Sequence, residues 1–172
     1  MTPEELMKFV GRKDVHAIQL DTGAYVPVKT PFTLTLLSQH LSGKKTLGTY
    51  LIREDGLINF VVVDIDGDPS SLPFLKRLAQ SINTLFPDFE TVIEFSGRRG
   101  YHVWIFFKSP EQPKFMRNLV KSRLNRKGYR NIEIYPKQDE VSGKGFGNLI
   151  KMPCGIHRKS GKRSQIELEK KI

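Results

Sequence analysis

The stretch that decides the fold is FVVVDIDGD, Phe60 to Asp68, in which a run of apolar, mostly β-branched residues passes directly into three acids. A run of this kind is typical of a strand buried inside a domain. Because side chains alternate along a strand, Asp64 and Asp66 lie on one face and the intervening apolar residues on the other. We therefore expect a core strand that carries two neighbouring carboxylates, with Asp68 in the turn that follows.

Two ionised carboxylates at this spacing repel each other, and near an apolar core they need a cation or a proton between them. A hard divalent ion such as Mg²⁺ or Mn²⁺ would bind both through oxygen and keep positions open for phosphate. The alternative is that the strand ends at Asp64 and the other acids belong to a solvated turn around Gly67. The pair by itself slightly favours the turn.

Length and composition favour a cytoplasmic protein with one domain over residues 1–172. An N-terminal helix and strand fill residues 1–24, and the motifs lie in a core of about residues 25–163. No apolar run is long enough for a membrane span, and the first residues lack the pattern of a secretory signal. The single cysteine, Cys154, excludes an internal disulfide and a thiolate zinc cluster.

The chain carries 28 Lys and Arg against 18 Asp and Glu, which gives a formal net charge of +10 and a pI near 9.8. This excess favours a polyanionic partner, with nucleic acid as the first hypothesis. A soluble surface that happens to be basic is about equally compatible with the charge alone. The cations concentrate in the second half of the chain, which adds weight to nucleic acid.

Periodicity and turn residues predict an α+β fold, with helices packed on a mostly antiparallel sheet. The predicted helices are Pro3 to Val10, Pro31 to Leu41, Ser70 to about Leu85, and Pro113 to Lys127. The predicted strands are His16 to Leu20, Thr49 to Arg53, Leu57 to Asp66, Thr91 to Phe95, Tyr101 to Phe107, Asn131 to Tyr135, Leu149 to Met152 and Gln165 to Glu169. The Asp-Gly pair in Glu54-Asp55-Gly56 predicts a hairpin between the second and third of these strands.

The segment SGRRGYHVWIFF, Ser96 to Phe107, adds a phosphate-type turn and a histidine at the start of an apolar strand. A hydroxyl, glycine backbone N–H groups and two guanidinium groups together suit a phosphate, although the Walker lysine motif is missing. For His102 the alternative is a core histidine bonded to a backbone carbonyl. For Arg98 and its neighbour Arg99 it is a solvated turn.

Two later segments hold further candidates. In NIEIYPKQ, alternation places the carboxylate of Glu133 on one face of a short apolar strand, where a polar edge strand is an equal alternative. The segment GKGFGNLIKMPCGIHRKSGKR brings Lys151, His157 and Arg158 around a turn at Pro153. A solvated basic loop is the alternative for this last segment.

Together these residues resemble motifs one to three of the archaeo-eukaryotic primase superfamily: a DxD pair, a serine-glycine turn that leads to a histidine, and an acid in a short strand. Longer segments are similar to the primase-polymerase branch found with CRISPR systems and in phage-conflict operons, with the CRISPR-associated primase-polymerase catalytic core as the nearest resemblance. These segments are YVPVKT (Tyr25 to Thr30), HLSGKKTLGTY (His40 to Tyr50), VVVDIDGD (Val61 to Asp68), EIYPKQ (Glu133 to Gln138) and GNLIKMPCGIHR (Gly147 to Arg158).

The resemblance implies a catalytic sheet like that of an RNA-recognition motif and template-directed nucleotidyl transfer, with Mg²⁺ or Mn²⁺ in a two-metal site. The implied catalytic and metal-binding residues are Asp64, Asp66 and Glu133. The implied nucleotide-binding residues are Ser96, Gly97, Arg98, His102, Lys151, His157 and Arg158. The superfamily usually has aspartate as its third acid, so glutamate at position 133 moves that carboxylate outward by about one methylene.

The resemblance further implies a single-stranded DNA template, a primer and nucleoside triphosphates (NTP or dNTP) as ligands. It also suggests a role in CRISPR or phage defence, with CRISPR adaptation proteins as partners.

Two other functions fit the residues. One is a non-catalytic nucleic-acid-binding module that stacks bases on Tyr101, Trp104 and Tyr135. The other is a metal-dependent nuclease that uses the same acids.

Overall fold

The computed structural model describes residues 1–143 and 145–171, which form an α+β fold with two antiparallel sheets. Its helices are α1 (Pro3–Leu6), α2 (Leu34–Leu41), α3 (Leu72–Asn83) and α4 (Pro113–Arg126). Its strands are β1 (His16–Gln19), β2 (Tyr25–Val28), β3 (Leu47–Tyr50), β4 (Ile58–Asp66), β5 (Glu90–Phe95), β6 (Gly100–Glu111), β7 (Glu133–Tyr135), β8 (Leu149–Lys151) and β9 (Gln165–Lys170). The four-stranded sheet has the order β2-β1-β3-β8, and the five-stranded sheet has the order β7-β4-β6-β5-β9.

The five-stranded sheet is covered on both faces, and the predicted alternation along β4 is confirmed. Val61, Val63 and Ile65 face α3 and α4, where they pack with buried residues of both helices. Phe60 and Val62 face the other way, toward the four-stranded sheet and the N-terminal helices. A strand that is apolar on both faces must lie inside a sheet, and β4 has β6 and β7 as its two neighbours.

Between the two sheets, the apolar packing is dense along most of the strands and stops at one end. Trp104 and Phe60 are almost completely buried there, in a cluster that also holds Ile150 of the four-stranded sheet. Burying each such large side chain contributes roughly 1.5–3 kcal/mol to folding. Beyond Val62 and Trp104 the same faces carry Asp64 and His102, so a polar cleft opens at this end.

The predicted hairpin between Thr49–Arg53 and Leu57–Asp66 is wrong. The Glu54-Asp55-Gly56 segment does reverse the chain, since the Arg53 N–H donates to the Leu57 carbonyl over 2.9 Å. However, β3 pairs with β1 and β8 in the four-stranded sheet, whereas β4 pairs in the other sheet. The local preference of Asp-Gly determines the turn, but burial on both faces determines which partners β4 takes.

Other element boundaries shift for local reasons. The first predicted helix is divided into α1 and a 3₁₀ turn, Met7–Phe9. The second starts at Leu34 because the hydroxyl of Thr33 accepts a hydrogen bond from the Leu36 N–H and caps the helix. The strand β2 was not predicted. Within the described residues, none of the helices is both long enough and apolar enough to cross a bilayer.

Asp68 lies in the turn after β4, as predicted. Its carboxylate accepts a hydrogen bond from the Ser70 N–H over 2.8 Å and caps a 3₁₀ turn, Pro69–Ser71, that leads into α3. Asp68 lies beyond the end of β4 and its Oδ1 has this local role, so Asp64 and Asp66 are the acids of β4 that face the cleft.

Candidate active site

One register of the five-stranded sheet carries four titratable side chains in a row. Asp64 of β4 lies directly opposite Glu133 of β7 on one side and His102 of β6 on the other. His102 in turn lies opposite Glu94 of β5. Side chains directly opposite each other in an antiparallel pair have Cβ atoms about 4.5–5.5 Å apart. We call this line of four residues across four strands the acid–histidine row.

Asp64 is the least satisfied member of the row. Its side chain is only 17% exposed, and its Oδ1 atom is buried without a hydrogen-bond partner. The His102 Nε2 atom lies 3.7 Å from that oxygen, which is too far for a hydrogen bond. Burial, together with the charges of Asp66 and Glu133, raises the pKa of Asp64, although His102 acts in the opposite direction. An unpaired buried oxygen of this kind costs about 1–3 kcal/mol, so the site suits a cation.

The other two acids are held by cationic side chains. Asp66, two residues beyond Asp64 on the same face, accepts from Arg99 Nε over 2.7 Å. Glu133 pairs with Lys137 Nζ over 3.0 Å, and these contacts lower its pKa. The side chains of Asp66 and Glu133 are 38% and 53% exposed. Exposed ion pairs of this type are worth only about 0–1 kcal/mol each, so a divalent ion could displace both cations.

The donor set therefore fits a divalent ion, although the described residues contain no preassembled group of three or more metal-type ligands. Asp64 offers an unpaired oxygen, and Asp66 and Glu133 extend from adjacent positions on the same face. All three supply carboxylate oxygens, which Mg²⁺ and Mn²⁺ prefer. To bind the ion, the exposed side chains of Asp66 and Glu133 would have to leave their ion pairs with Arg99 and Lys137.

The turn between β5 and β6 borders the row. Its Ser96 N–H donates to the Gly100 carbonyl over 2.9 Å, which closes the turn. Gly97 has a φ of +87°, and a Cβ there would lie 3.0 Å from the Lys162 carbonyl oxygen. The glycine therefore lets the turn pack tightly against the C-terminal loop, where Ser160 Oγ donates to the Gly97 carbonyl over 2.7 Å.

Sequence reasoning missed Glu94, the fully buried member of the row. Its carboxylate accepts hydrogen bonds from His102 Nδ1 (2.9 Å), Trp104 Nε1 (2.9 Å) and Lys151 Nζ (3.1 Å). Burial alone would raise the pKa of Glu94, but Lys151, His102 and Trp104 together lower it to about 2. The signal in the sequence was an acid inside the apolar strand ETVIEF, two residues before the serine of the turn.

Lys151 and His102 are both held by this carboxylate. Lys151, buried on β8, also donates to Ser164 Oγ over 2.8 Å and to the Met152 carbonyl over 3.0 Å. The contact between Lys151 and Glu94 therefore ties the two sheets together. For His102, burial would lower the pKa, but Glu94 and Asp64 raise it overall. Because Nδ1 donates to Glu94, Nε2 is the ring atom turned toward Asp64.

The structure brings most of the predicted residues to one cleft of about 270 Å³. The predicted residues that line it are Asp64, Asp66, Ser96, Arg98, His102, Lys151 and His157. Glu133 is not among the lining residues; it lies opposite Asp64 on the edge strand β7, and Gly97 lies in the turn next to Arg98. Burial, with the positive charges of Lys151 and Arg98, lowers the pKa of His157.

Arg158 and Arg99 differ from the prediction in opposite ways. The guanidinium group of Arg158 does not line the cleft, because it donates to the carbonyl oxygens of Gly43 (2.9 Å) and Lys44 (2.8 Å). Arg99, which belongs to the predicted phosphate-type turn but not to the nucleotide-binding set implied by the resemblance, does line it. The direction of a loop side chain depends on contacts with distant residues, such as Gly43 and Lys44 for Arg158, so the sequence alone does not show whether it reaches the site.

A larger cavity of about 750 Å³ lies beside α1 and β9. Its charged lining is largely paired, since Lys8 contacts both Glu90 and Glu169. The smaller cleft contains the unpaired Asp64 oxygen and the phosphate-type turn. We therefore take it as the candidate active site, although the other cavity is larger.

The aromatic residues of the alternative binding module are not arranged as a stacking platform. Trp104 is fully buried and Tyr101 is 6% exposed, each within an apolar cluster. Tyr135 is half-buried and its hydroxyl donates to Glu133 over 3.1 Å. Base stacking on Tyr101 and Trp104 is therefore excluded by their burial in this structure.

The antiparallel α+β fold, with acids and a histidine on adjacent strands beside a serine-glycine turn, is that of an archaeo-eukaryotic primase. A family model described as "TOTE conflict system, Archaeo-Eukaryotic Primase domain" matches residues 25–167, and the chain belongs to this family. Comparison with curated proteins gave no match. The superfamily prediction is confirmed, and the chain is a primase-like enzyme domain of a kind that handles nucleotides and nucleic acid.

Proposed function

We propose that the chain is a template-directed nucleotidyltransferase, a DNA primase-polymerase that starts or extends strands on single-stranded DNA. The acid–histidine row is the observation that carries this proposal. It aligns three carboxylates and a histidine on a rigid sheet, next to a turn suited to phosphate. Membership of a primase family supports the same reaction.

In this proposal, Asp64, Asp66 and Glu133 hold two Mg²⁺ or Mn²⁺ ions. When bound, such ions activate the attacking 3′-hydroxyl and neutralise the charge of the leaving pyrophosphate. The protein contributes geometry. Asp64 and Glu133 are fixed opposite each other by the pairing of β4 with β7, and the two acids of β4 are fixed by strand alternation.

The triphosphate would lie against the turn from Ser96 to Gly100. The Ser96 hydroxyl and the guanidinium groups of Arg98 and Arg99 supply donors there, and His157 lies beside the same turn, next to Gly97. His102 would present Nε2 to the nucleotide. Glu94 acts as a positioning residue, since it touches His102 and Lys151 and is itself inaccessible to substrate.

The ligands would be a single-stranded DNA template, a primer and NTP or dNTP. We further propose that residues 1–172 act as one catalytic domain in the cytoplasm. The matched family belongs to a conflict system, which supports a role in phage defence. An association with CRISPR adaptation proteins stays a prediction.

Strand synthesis tests the proposal. Primed and unprimed single-stranded templates are incubated with nucleotides and Mg²⁺ or Mn²⁺, and labelled product is resolved by length. We expect extension by the wild type and a loss of more than about 100-fold in an Asp64→Ala/Asp66→Ala variant, since even outer partners of metal ligands cost about 10–100-fold. Asp68→Ala is the matched control, because Asp68 is an acid that directly follows the same strand but caps only a turn.

The other functions give different products. A nuclease would shorten the labelled strand in a metal-dependent way. A non-catalytic module would give no product and would bind DNA equally with or without metal, and removal of the acids would strengthen that binding. Absence of product from every template, or full activity of the double variant, would overturn the proposal.

A further inference from the structure

The helix α4 and the turn after it have an unusual charge pattern. Between positions 113 and 130 the chain has seven cations and no acid: Lys114, Arg117, Lys121, Arg123, Arg126, Lys127 and Arg130. Arg117 pairs with Asp139, and Arg123 pairs with Asp88. In the part of the chain that the structure describes, the other five form no ion pair and are exposed.

The exposed face of α4 forms a continuous stripe of hydrogen-bond donors. Met116, Val120 and Leu124 are buried against the five-stranded sheet. On the outer side, exposed polar side chains follow at helical spacing: Lys114, Asn118, Lys121 and Asn125. The helix has 14 residues and is about 21 Å long, which matches about six phosphates at 3.4 Å spacing.

This pattern is unfavourable for a helix that faces only water. Like charges one turn apart destabilise a helix, and Glu–Lys pairs are the usual means to stabilise an exposed face. The first turn of a helix favours acids, yet α4 has Lys114 there and no acid. The helix dipole accounts for Arg123 and Arg126 in the last turn, but it does not account for Lys114 or Lys121. An anion bound along the helix would account for them.

An exposed aromatic residue accompanies the stripe. Phe115 is 62% exposed and directly follows Lys114. Cations interleaved with an exposed aromatic ring are typical of surfaces that bind single-stranded nucleic acid, since the cations contact phosphates and the ring stacks on bases. The cations and the ring also suit a lipid surface or an acidic protein. The position of α4 relative to the cleft favours the single strand.

The position of α4 connects this surface to the cleft. α4 covers the face of the five-stranded sheet that lies opposite the acid–histidine row. Residues 127–132 then lead from α4 directly to Glu133 at the sheet edge. A strand that leaves the cleft past β7 would meet this turn first and the helix next.

We propose that the outer face of α4 is a second nucleic-acid-binding surface, which holds the sugar–phosphate backbone of the same single strand that enters the cleft. This inference rests on the proposed function for the identity of the strand. Lys114 and Lys121 of the stripe, together with the exposed Arg126 in the last turn of α4, contact phosphates, and Phe115 stacks on a base. The surface adds affinity and length to the binding site without touching the reacting atoms.

The test measures binding in the absence of nucleotides, so it does not depend on synthesis. Affinity for a long single-stranded DNA is followed by fluorescence anisotropy as the salt concentration is raised. We expect Lys114→Gln/Lys121→Gln/Arg126→Gln to reduce the slope of log K against log salt by about 2, since each lost phosphate contact removes about 0.7. Glutamine supports helices about as well as lysine and arginine, and circular dichroism checks that α4 is retained.

Two matched variants separate the helix face from net charge. The first variant, Lys13→Gln/Arg77→Gln/Lys171→Gln, removes the same charge from exposed positions on other parts of the chain. Its slope of log K against log salt should stay close to that of the wild type. Lys114→Arg/Lys121→Arg/Arg126→Lys keeps the charge of α4 and should keep the wild-type slope. An oligonucleotide that fills only the cleft should bind equally to the wild type and to the α4 variant.

Several results would overturn the inference. Equal loss of slope in the α4 variant and the displaced-charge variant would assign the effect to net charge. An unchanged slope in the α4 variant would exclude the surface, and reduced attachment to anionic vesicles in that case would assign it to a membrane instead. If the wild type makes no product but the α4 variant shows the expected loss of salt slope, the catalytic proposal is overturned and DNA binding by α4 stands.

Discussion

Glu94 holds the site together at the scale of the single residue. A fully buried carboxylate is costly unless donors surround it, and Glu94 has three, from β6 and β8. Two of those donors, His102 and Lys151, belong to residues that line the cleft. The geometry of the cleft walls therefore depends on a residue that substrate cannot reach.

The pH dependence of stability reports on this buried carboxylate. The pKa of Glu94 is about 2 in the folded chain, below its ordinary value of 4.5. Between these values the unfolded chain binds more protons, so stability rises with pH there and its full contribution, roughly 3 kcal/mol, is present above about pH 4.5. As the pH falls from about 4.5 to 2, we expect that contribution to be lost in urea unfolding measurements.

The control for this prediction is Glu94→Gln/Lys151→Met, which removes both charges of the buried pair. Over the same pH range, the drop in its unfolding free energy should be about 3 kcal/mol smaller than the drop in the wild type. The single variant Glu94→Gln should cost about 3–5 kcal/mol at neutral pH, because it leaves Lys151 buried without its partner. Identical pH profiles for the wild type and the double variant would show that Glu94 is not the group concerned.

The face on which each candidate residue lies was predictable where a local rule applied. Strand alternation is such a rule: it put Asp64 with Asp66 and His102 with Trp104, and the pairing of β4 with β6 brings Asp64 and His102 together on one face of the sheet. The direction of Arg158 and the network of Glu94 depend on contacts with residues far away in the chain, Gly43 and Lys151 among them. No local pattern encodes those contacts.

At the scale of the element, β4 and β6 must approach closely where the acids emerge. Gly100 begins β6 and pairs with Asp66. A Cβ at Gly100 would lie 2.2 Å from the Ile65 carbonyl oxygen and 2.5 Å from Asp66 Oδ1. Only glycine permits this approach, so the end of β4 has its position because residue 100 has no side chain.

Gly100→Ala should therefore displace the end of β4. We expect a loss of about 1–3 kcal/mol in thermal or urea unfolding, typical of overpacking, together with reduced strand synthesis. Gly145→Ala is the matched control, since among the residues that the structure describes a Cβ there would meet only the Ser142 carbonyl oxygen, at 3.9 Å. This substitution should change stability by less than about 0.5 kcal/mol. Equal effects of the two substitutions would contradict the role of close approach at Gly100.

Element types were predicted well and their pairing less well. Helix α4 was predicted almost to its ends, because proline and glycine mark both boundaries. The Glu54-Asp55-Gly56 turn was predicted too, but the strands on either side of it belong to different sheets. A turn signal describes four residues, whereas pairing depends on which faces are buried.

At the scale of the whole molecule, the cleft exists because two sheets separate at one end. The five-stranded sheet carries the acids, and the four-stranded sheet contributes Lys151. The hydrogen bond from Lys151 to Glu94 joins the two sheets. The fold class and its superfamily followed from the order of elements and motifs. The division into two sheets did not, since it arises from burial on both faces of β4 across distant parts of the chain.

The central claim is that Asp64, Asp66 and Glu133 together bind the divalent ions that serve nucleotidyl transfer. A crystal of the protein soaked with nucleoside triphosphate and Mn²⁺ tests it most directly, because anomalous scattering locates the metal independently of activity. We predict manganese coordinated by carboxylate oxygens of all three acids, with Arg99 and Lys137 released from Asp66 and Glu133. Manganese held by the triphosphate alone, with both ion pairs intact, would contradict the account.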